Sequence, residues 1–279
     1  MSAPHAKIAL IQLRAPATQA AALAQVTPLI REAAAGGAEF ILTPEGTNLL
    51  EQRRENRQKV IVRQADDPVV NGLKALAAEL KIWLLIGSTI VLYEDPSETR
   101  AANRSILIGP EGEIKATYDK MHVYDVDLPS GESHRESNNI RPGERAVVAD
   151  TPWGKIGLTV CYDVRFAHLF RALARAGADM ISVPAAFTVP TGQAHWEVML
   201  RARAIETGAF VLAPAQGGTH EDGRKTYGHS LVVAPWGEVI AKLDHDEPGV
   251  LFADLDFAEV GKARGAIQQL KHDREFVGP

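Results

Sequence analysis

Apolar residues in this chain fall into two rhythms that alternate along it. Short apolar runs, such as Lys7-Ile8-Ala9-Leu10-Ile11, Phe40-Ile41-Leu42, Trp83-Leu84-Leu85-Ile86, Lys155-Ile156-Gly157-Leu158-Thr159-Val160 and Phe210-Val211-Leu212-Ala213, read as strands. Between them, apolar residues recur at three-to-four spacing and predict helices over 18–35, 69–80, 167–176 and 196–207. Gly36 and Gly177 follow two of these, where a chain leaving a helix favours glycine.

The order of these segments repeats. Lys7-Ile8-Ala9-Leu10-Ile11 matches Lys155-Ile156-Gly157-Leu158-Thr159, and the stretch from Gly37 to Pro44 matches that from Gly177 to Pro184. Trp83–Ile86 has its counterpart in Phe210–Ala213, and an expected hairpin over 105–114 aligns with 230–239. Each half therefore reads strand, helix, strand, helix, strand, hairpin. Such a unit covers one face of its sheet with helices and leaves the other face apolar, so two units should bury their bare faces together. The expected fold is an α/β, four-layer α-β-β-α sandwich of two βαβαβ-hairpin halves, one domain over residues 1–257. Residues 117–150 are expected to be an irregular insertion between the halves, with the possibility of a lid. The charged stretch 258–279 lies outside the repeat, as a disordered tail or as an arm docking on a partner subunit.

Composition narrows the class. With 46% hydrophobic and 23% charged residues, the chain can bury a large core. A net charge of −5 does not mark a nucleic-acid binder, and the apolar stretch near the N-terminus is too short for a signal or membrane segment. One cysteine cannot form an internal disulfide, which suits a reducing cytoplasm. The nine histidines are scattered without zinc-ligand spacing, so neither metal nor cofactor is expected.

The one cysteine, Cys161, stands where the strand 155–160 breaks, the position at which an open α/β sheet presents reactive side chains. Taken alone it is a nucleophile or a small buried hydrophobe. Glu45 follows the second strand of the first half, in Thr43-Pro44-Glu45-Gly46, where the second half has Ala185. It is a site carboxylate or an exposed turn residue. Lys120, in Tyr118-Asp119-Lys120-Met121-His122, follows the first hairpin and is a site cation or a surface charge. In the deduced topology all three meet at carboxyl ends of strands. There Glu45 can act as base for the thiol, and Lys120 with the backbone N–H after Cys161 can stabilise an oxyanion. A papain-like arrangement is disfavoured: it needs a histidine base, and His168 is expected on the helix after Cys161 with nothing directing it back.

These three motifs resemble the Glu-Lys-Cys triad of the nitrilase, or carbon-nitrogen hydrolase, superfamily, and the likeness runs from about residue 6 to 257. The resemblance implies the duplicated sandwich fold, a supporting glutamate at Glu136, and a homodimer paired through helices near Cys161 and Thr191–Thr207. The stretches 194–207 and 227–230 look most like the deaminated-glutathione amidase and ω-amidase branches. That likeness implies an amide substrate bearing a carboxylate, bound by Arg165 with Tyr162, Phe187 and Thr191 in the same pocket. It implies hydrolysis through a thioester with release of ammonia. An ω-amidase acting on 2-oxoglutaramate, a nitrilase and a non-catalytic scaffold are the alternatives. Arg135, beside Glu136, departs from the family pattern at the pocket entrance.

Overall fold

The computed structural model describes residues 4–127, 131 and 133–278. The first half comprises β1 (His5–Gln12), α1 (Gln19–Ala35), β2 (Phe40–Leu42), a short α2 (Arg54–Gln58), α3 (Pro68–Leu80), β3 (Trp83–Leu92), β4 (Ala101–Ile108) and β5 (Ile114–Asp119). A small hairpin, β6 (Asp125–Asp127) and β7 (Ser133–Arg135), leads to the second half. That half contains β8 (Val147–Thr151), β9 (Gly154–Leu158), α4 (Ala167–Arg175), β10 (Met180–Ser182), α5 (Val189–Thr207) and β11 (Phe210–Ala213). It continues with β12 (Gly217–Thr219), β13 (Lys225–Tyr227), β14 (Leu231–Val233) and β15 (Val239–Lys242), and the chain closes with β16 (Gly249–Asp256) and α6 (Ala258–Ala266).

Two six-stranded sheets result, ordered β16-β1-β2-β3-β4-β5 and β15-β14-β11-β10-β9-β8. The apolar runs conceal a two-residue alternation because both faces of each sheet are covered. Ile8, Leu10, Phe40, Leu42, Leu85 and Leu107 join the core shared with the second sheet, where Ile156, Leu158 and Val232 meet them. Their neighbours Ala9, Ile11, Ile41, Leu84 and Ile86 instead pack under Val26 and Ile30 of α1 and Leu73 of α3. Helices α4 and α5 cover the second sheet through Leu169, Phe170, Leu173, Trp196 and Leu200. The four layers expected from the repeat are present.

The repeat extends to individual hydrogen bonds. Glu39 N–H donates to Lys7 O and Asp179 N–H to Lys155 O, both at 2.8 Å; Trp83 N–H to Glu39 O and Phe210 N–H to Asp179 O are both 3.0 Å. The two edge strands also correspond. β8, which follows the first half, pairs antiparallel with β9, and β16, which follows the second, pairs antiparallel with β1. Each half thus completes its sheet with a strand that the chain reaches after finishing the other half.

Several boundaries differ from the sequence reading. Residues 117–119 belong to β5 and 147–150 to β8, so the insertion is shorter than 117–150; its residues 128–130 and 132 lie outside the described ones. The left-handed residues after α1 and α4 are Gly37 (φ 86°) and Gly177 (φ 94°), which are repeat equivalents, whereas Gly36 has φ −74°. Helix α5 begins at Val189 rather than 196 because Pro190 occupies the first turn, where a missing N–H costs nothing, and Gly192 lies against Tyr227. The stretch after 257 starts with α6, whose Val260 and Ala263 are buried, and Asp273 pairs with Arg171 and Arg175 of its own chain's α4.

Gly87 in β3 shows how tightly the strand ends are pressed together. A Cβ there would sit 1.9 Å from Thr43 O, 2.5 Å from Pro184 Cβ and 2.7 Å from Pro44 O, the segments leading to Glu45 and Ala186. Gly87→Ala is expected to cost about 1–3 kcal/mol in overpacking, lowering the thermal midpoint by several degrees. An unchanged melting curve would show that these segments separate freely.

Candidate active site

Each candidate residue is set by a strand end. Glu45 follows β2, on a turn that needs the left-handed Gly46 (φ 66°) and is pinned by Gly46 N–H to Ser88 Oγ at 2.9 Å. Gln216 Nε2 donates to Glu45 O at 2.9 Å, anchoring that turn to the second half. Lys120 directly follows β5, its N–H bonded to Asn103 O at 2.9 Å. Cys161 opens a 3₁₀ turn over 161–165 after β9, its N–H donating to Pro184 O at 2.9 Å. Its φ of 51° is left-handed, a strained conformation for a residue with a Cβ and one that clusters at functional sites.

The head groups converge. Lys120 Nζ lies 2.9 Å from Glu45 Oε1 and 2.9 and 3.1 Å from the two Glu136 oxygens. Asn103 Nδ2 donates to Glu45 Oε1 at 2.8 Å, and the Ala186 N–H donates to Glu45 Oε2 at 3.0 Å. Glu136 Oε2 also accepts the Tyr124 N–H at 2.6 Å. Lys120 is 2%, Glu45 7% and Cys161 9% exposed, so these charges interact largely out of water.

Burial and charge set the protonation states. Burial raises the Glu45 carboxyl, but the Lys120 charge and hydrogen bonds from Cys161 and Lys120 outweigh it and hold Glu45 below the usual carboxylate range. Burial disfavours the Lys120 ammonium, yet Glu136 and Glu45 together raise it well above its ordinary value. The Cys161 thiol is pushed well up, first by burial and then by the Glu45 charge, with Lys120 pulling only partly back. The resting site therefore holds an ionised Glu45, a charged Lys120 and a protonated thiol.

Asp163, fully buried two residues after Cys161, clasps the lysine segment to the cysteine segment. Its Oδ2 accepts the Tyr118 hydroxyl at 2.7 Å and the Val160 N–H at 2.8 Å; its Oδ1 accepts the His122 N–H at 3.0 Å and lies 2.7 Å from His122 Nδ1. The His122 ring stacks on Phe166, centroids 3.6 Å apart. In the sequence, Tyr118, His122 and Asp163 carry no signal that assigns them a part. Asn103 was missed too, although a lone amide inside the apolar strand β4 was a usable signal.

A cavity of about 300 Å³ opens over the cluster, lined by Glu45, Lys120, Glu136 and Cys161 and also by Tyr162, Arg165, Phe187 and Thr191. All eight candidate residues thus meet at one site. The Arg165 guanidinium lies over the Tyr162 and Phe187 rings, 5.8 and 5.6 Å from their centroids, and approaches His195 Nδ1 at 3.3 Å. Arg135, at the cavity rim, forks onto Asp127 at 2.8 and 2.9 Å. Among the described residues, no group of three His, Cys, Asp or Glu side chains is arranged to hold a metal ion.

Comparison with known proteins agrees with this geometry. The carbon-nitrogen hydrolase profile matches residues 7–265. A deaminated glutathione amidase from Yersinia enterocolitica is 38% identical over 271 residues, covering 97% of this chain and 93% of its own. Saccharomyces cerevisiae Nit3, a nitrilase-superfamily member, superposes with a TM-score of 0.85 at 28% identity, covering 97% of this chain and 99% of its own. A mutant of the Nesterenkonia sp. AN1 amidase, with the acetamide moiety of fluoroacetamide added covalently at its active-site cysteine, has a TM-score of 0.78 at 27% identity over 94% of each chain. A match that spans nearly every element of both halves places the chain in the carbon-nitrogen hydrolase family of the nitrilase superfamily, and its reaction is hydrolysis of carbon–nitrogen bonds.

Proposed function

We propose that the protein is a cysteine-dependent amidase that cleaves the ω-amide of a small carboxylate-bearing substrate, with deaminated glutathione as the preferred one. The observation that carries this reading is the ionised Glu45 in contact with both the Lys120 ammonium and the protonated Cys161 thiol. As Sγ attacks the amide carbonyl, Glu45 takes the thiol proton. Lys120 Nζ and the first-turn N–H of Tyr162 stabilise the oxyanion, and Glu136 holds Lys120 in place. Collapse breaks the C–N bond, Glu45 returns the proton to the leaving nitrogen, and a thioester remains on Cys161. Glu45 then deprotonates water, which hydrolyses the thioester and frees the acid and the thiol. The leaving group is ammonia for a primary amide, and an amine where the nitrogen is substituted, as it is in deaminated glutathione.

Arg165 binds the carboxylate on the acyl side, with Tyr162, Phe187 and Thr191 around it; its planar fork suits a carboxylate. The names of the relatives favour deaminated glutathione over the ω-amidase alternative, which would use the same catalytic groups. The thiol must stay reduced to act, which favours a cytoplasmic setting; among the described residues no helix is long and apolar enough to cross a membrane. A homodimer is the expected assembly. Val198 and Ile205 on α5 and Trp236 and Ile240 on the β14–β15 hairpin are exposed, and Arg201 Nε to Gly237 O at 2.8 Å ties helix to hairpin. A second copy of this face would cover them.

Mass spectrometry of the wild type quenched during turnover should show an acyl adduct on Cys161. Cys161→Ala should lack it and lose roughly 10³-fold or more in kcat; retained activity would remove the nucleophile assignment. Because Glu45 must be ionised and is held low, kcat/KM should persist as pH falls, its acid limb lying below the ordinary carboxyl value of 4.5. A limb near neutrality would point to another base. Light scattering should return a dimer, and Trp236→Asp should shift it toward monomer; a wild-type monomer at micromolar concentration would discard the proposed interface.

A further inference from the structure

Four arginines line the catalytic cavity, Arg57, Arg135, Arg165 and Arg224, and their surroundings separate them. Arg135 is committed to Asp127. Arg224 is tied by Nη2 to Ala186 O at 2.8 Å, behind Glu45. Arg165 rests on aromatic rings beside the nucleophile. The guanidinium of Arg57, on α2, has neither a hydrogen bond nor an ion pair with any described residue, although the residue is half-buried.

Its neighbours do not satisfy it. Glu136 and Glu51 act on its charge through space, with Arg54 opposing them. Glu51 is occupied by the Arg53 N–H at 2.7 Å and Asn56 Nδ2 at 3.1 Å, and Glu136 by Lys120 and the Tyr124 N–H. Loss of water is the main influence on the guanidinium and lowers its pKa, the signature of a charge insufficiently paired for its burial. An anion entering the cavity would recover that cost. With Arg135 set aside, the lining holds Lys120, Arg57, Arg165 and Arg224 against Glu45, Glu51 and Glu136, which leaves a surplus of positive charge.

Position assigns the anion to one arm of the substrate. Arg165 stands four residues past Cys161, beside Tyr162 and Phe187 of the second half, and on the amidase reading it takes the carboxylate of the acyl arm. Arg57 comes from the first half and shares no described contact with Arg165; its electrostatic neighbour Glu136 is the residue that grips Lys120. The arm departing with the amide nitrogen is left to the Arg57 wall. We propose that Arg57 is the receptor for a second carboxylate, carried on the amine side of the scissile bond, so that the cavity selects amides flanked by an anion at each end. This inference rests on the amidase reading and adds to it the residue that recognises the leaving group.

Binding separates the two claims. In a Cys161→Ala background, titration calorimetry would compare N-succinylglycine with the same compound methylated on its glycine carboxylate, with and without Arg57→Met. Losing a charged hydrogen bond should weaken the dicarboxylate by about 10- to 100-fold, and methylation should weaken it by a similar factor while Arg57 is present. Once Arg57 is replaced, the acid and its ester should bind alike, and Arg57→Lys should restore part of the difference. Equal weakening of acid and ester by Arg57→Met would make Arg57 an electrostatic partner of Glu136 and overturn the proposal. So would an acid and ester bound equally by the parent protein, a comparison that does not depend on the folding of any Arg57 variant. Hydrolysis of N-succinylglycine by the wild type, followed separately, tests the amidase reading itself.

Discussion

A lysine with almost no exposure, held between two carboxylates, is the constraint around which this molecule is organised. An isolated ammonium in that place would be neutralised; with Glu45 and Glu136 both within about 3 Å it stays charged. The same pairing keeps Glu45 ionised next to a thiol that burial keeps protonated. The cluster therefore stores a base, an oxyanion donor and an undissociated nucleophile in contact, without needing a free thiolate at rest. Such an arrangement works only if neither carboxylate can turn away, and that is the task of Asn103, the Ala186 N–H and the Tyr124 N–H.

The duplicated scaffold explains how three remote segments are held to that accuracy. Glu45 and Ala185 occupy equivalent strand ends, and the second half helps to fix the first half's site residues. Gln216 of the second half supports the Glu45 backbone, while Asp163 beside the nucleophile holds Tyr118 and His122, which flank Lys120. Asp163 and Tyr118 in this clasp are buried, so a shift of β5 relative to the cysteine turn would break a charged hydrogen-bond set as well as apolar packing. Strand β16, reached after the second half is complete, pairs with β1 and so ties the end of the chain into the first sheet.

The cavity's arginines show how one residue type is divided by surroundings. Paired with Asp127, Arg135 is a rim strut; on the Tyr162 and Phe187 rings, Arg165 stands beside the nucleophile; the Arg57 guanidinium, with no hydrogen bond or ion pair to any described residue, is the one proposed to meet an incoming anion. In sequence, Arg135 and Arg165 stand out by their nearness to Glu136 and Cys161, whereas nothing distinguishes Arg57 in a run that also contains Arg53 and Arg54.

The sequence by itself determined the layered fold and the identity of the reacting groups. Apolar periodicity and self-similarity are local properties, and a thiol, an acid and a lysine at strand ends carry their chemistry wherever they stand. Irregular stretches were misjudged because nothing periodic marks them. β8 pairs by register with a strand only three residues further on, and the start of α5 contains Pro190 and Gly192, which look like breakers outside their packing. Only the tertiary structure decided which charges are paired and which are left open. Burial, the direction of a proton shift and the openness of the Arg57 guanidinium among the described residues depend on segments far apart in sequence, brought together by the packing of two sheets.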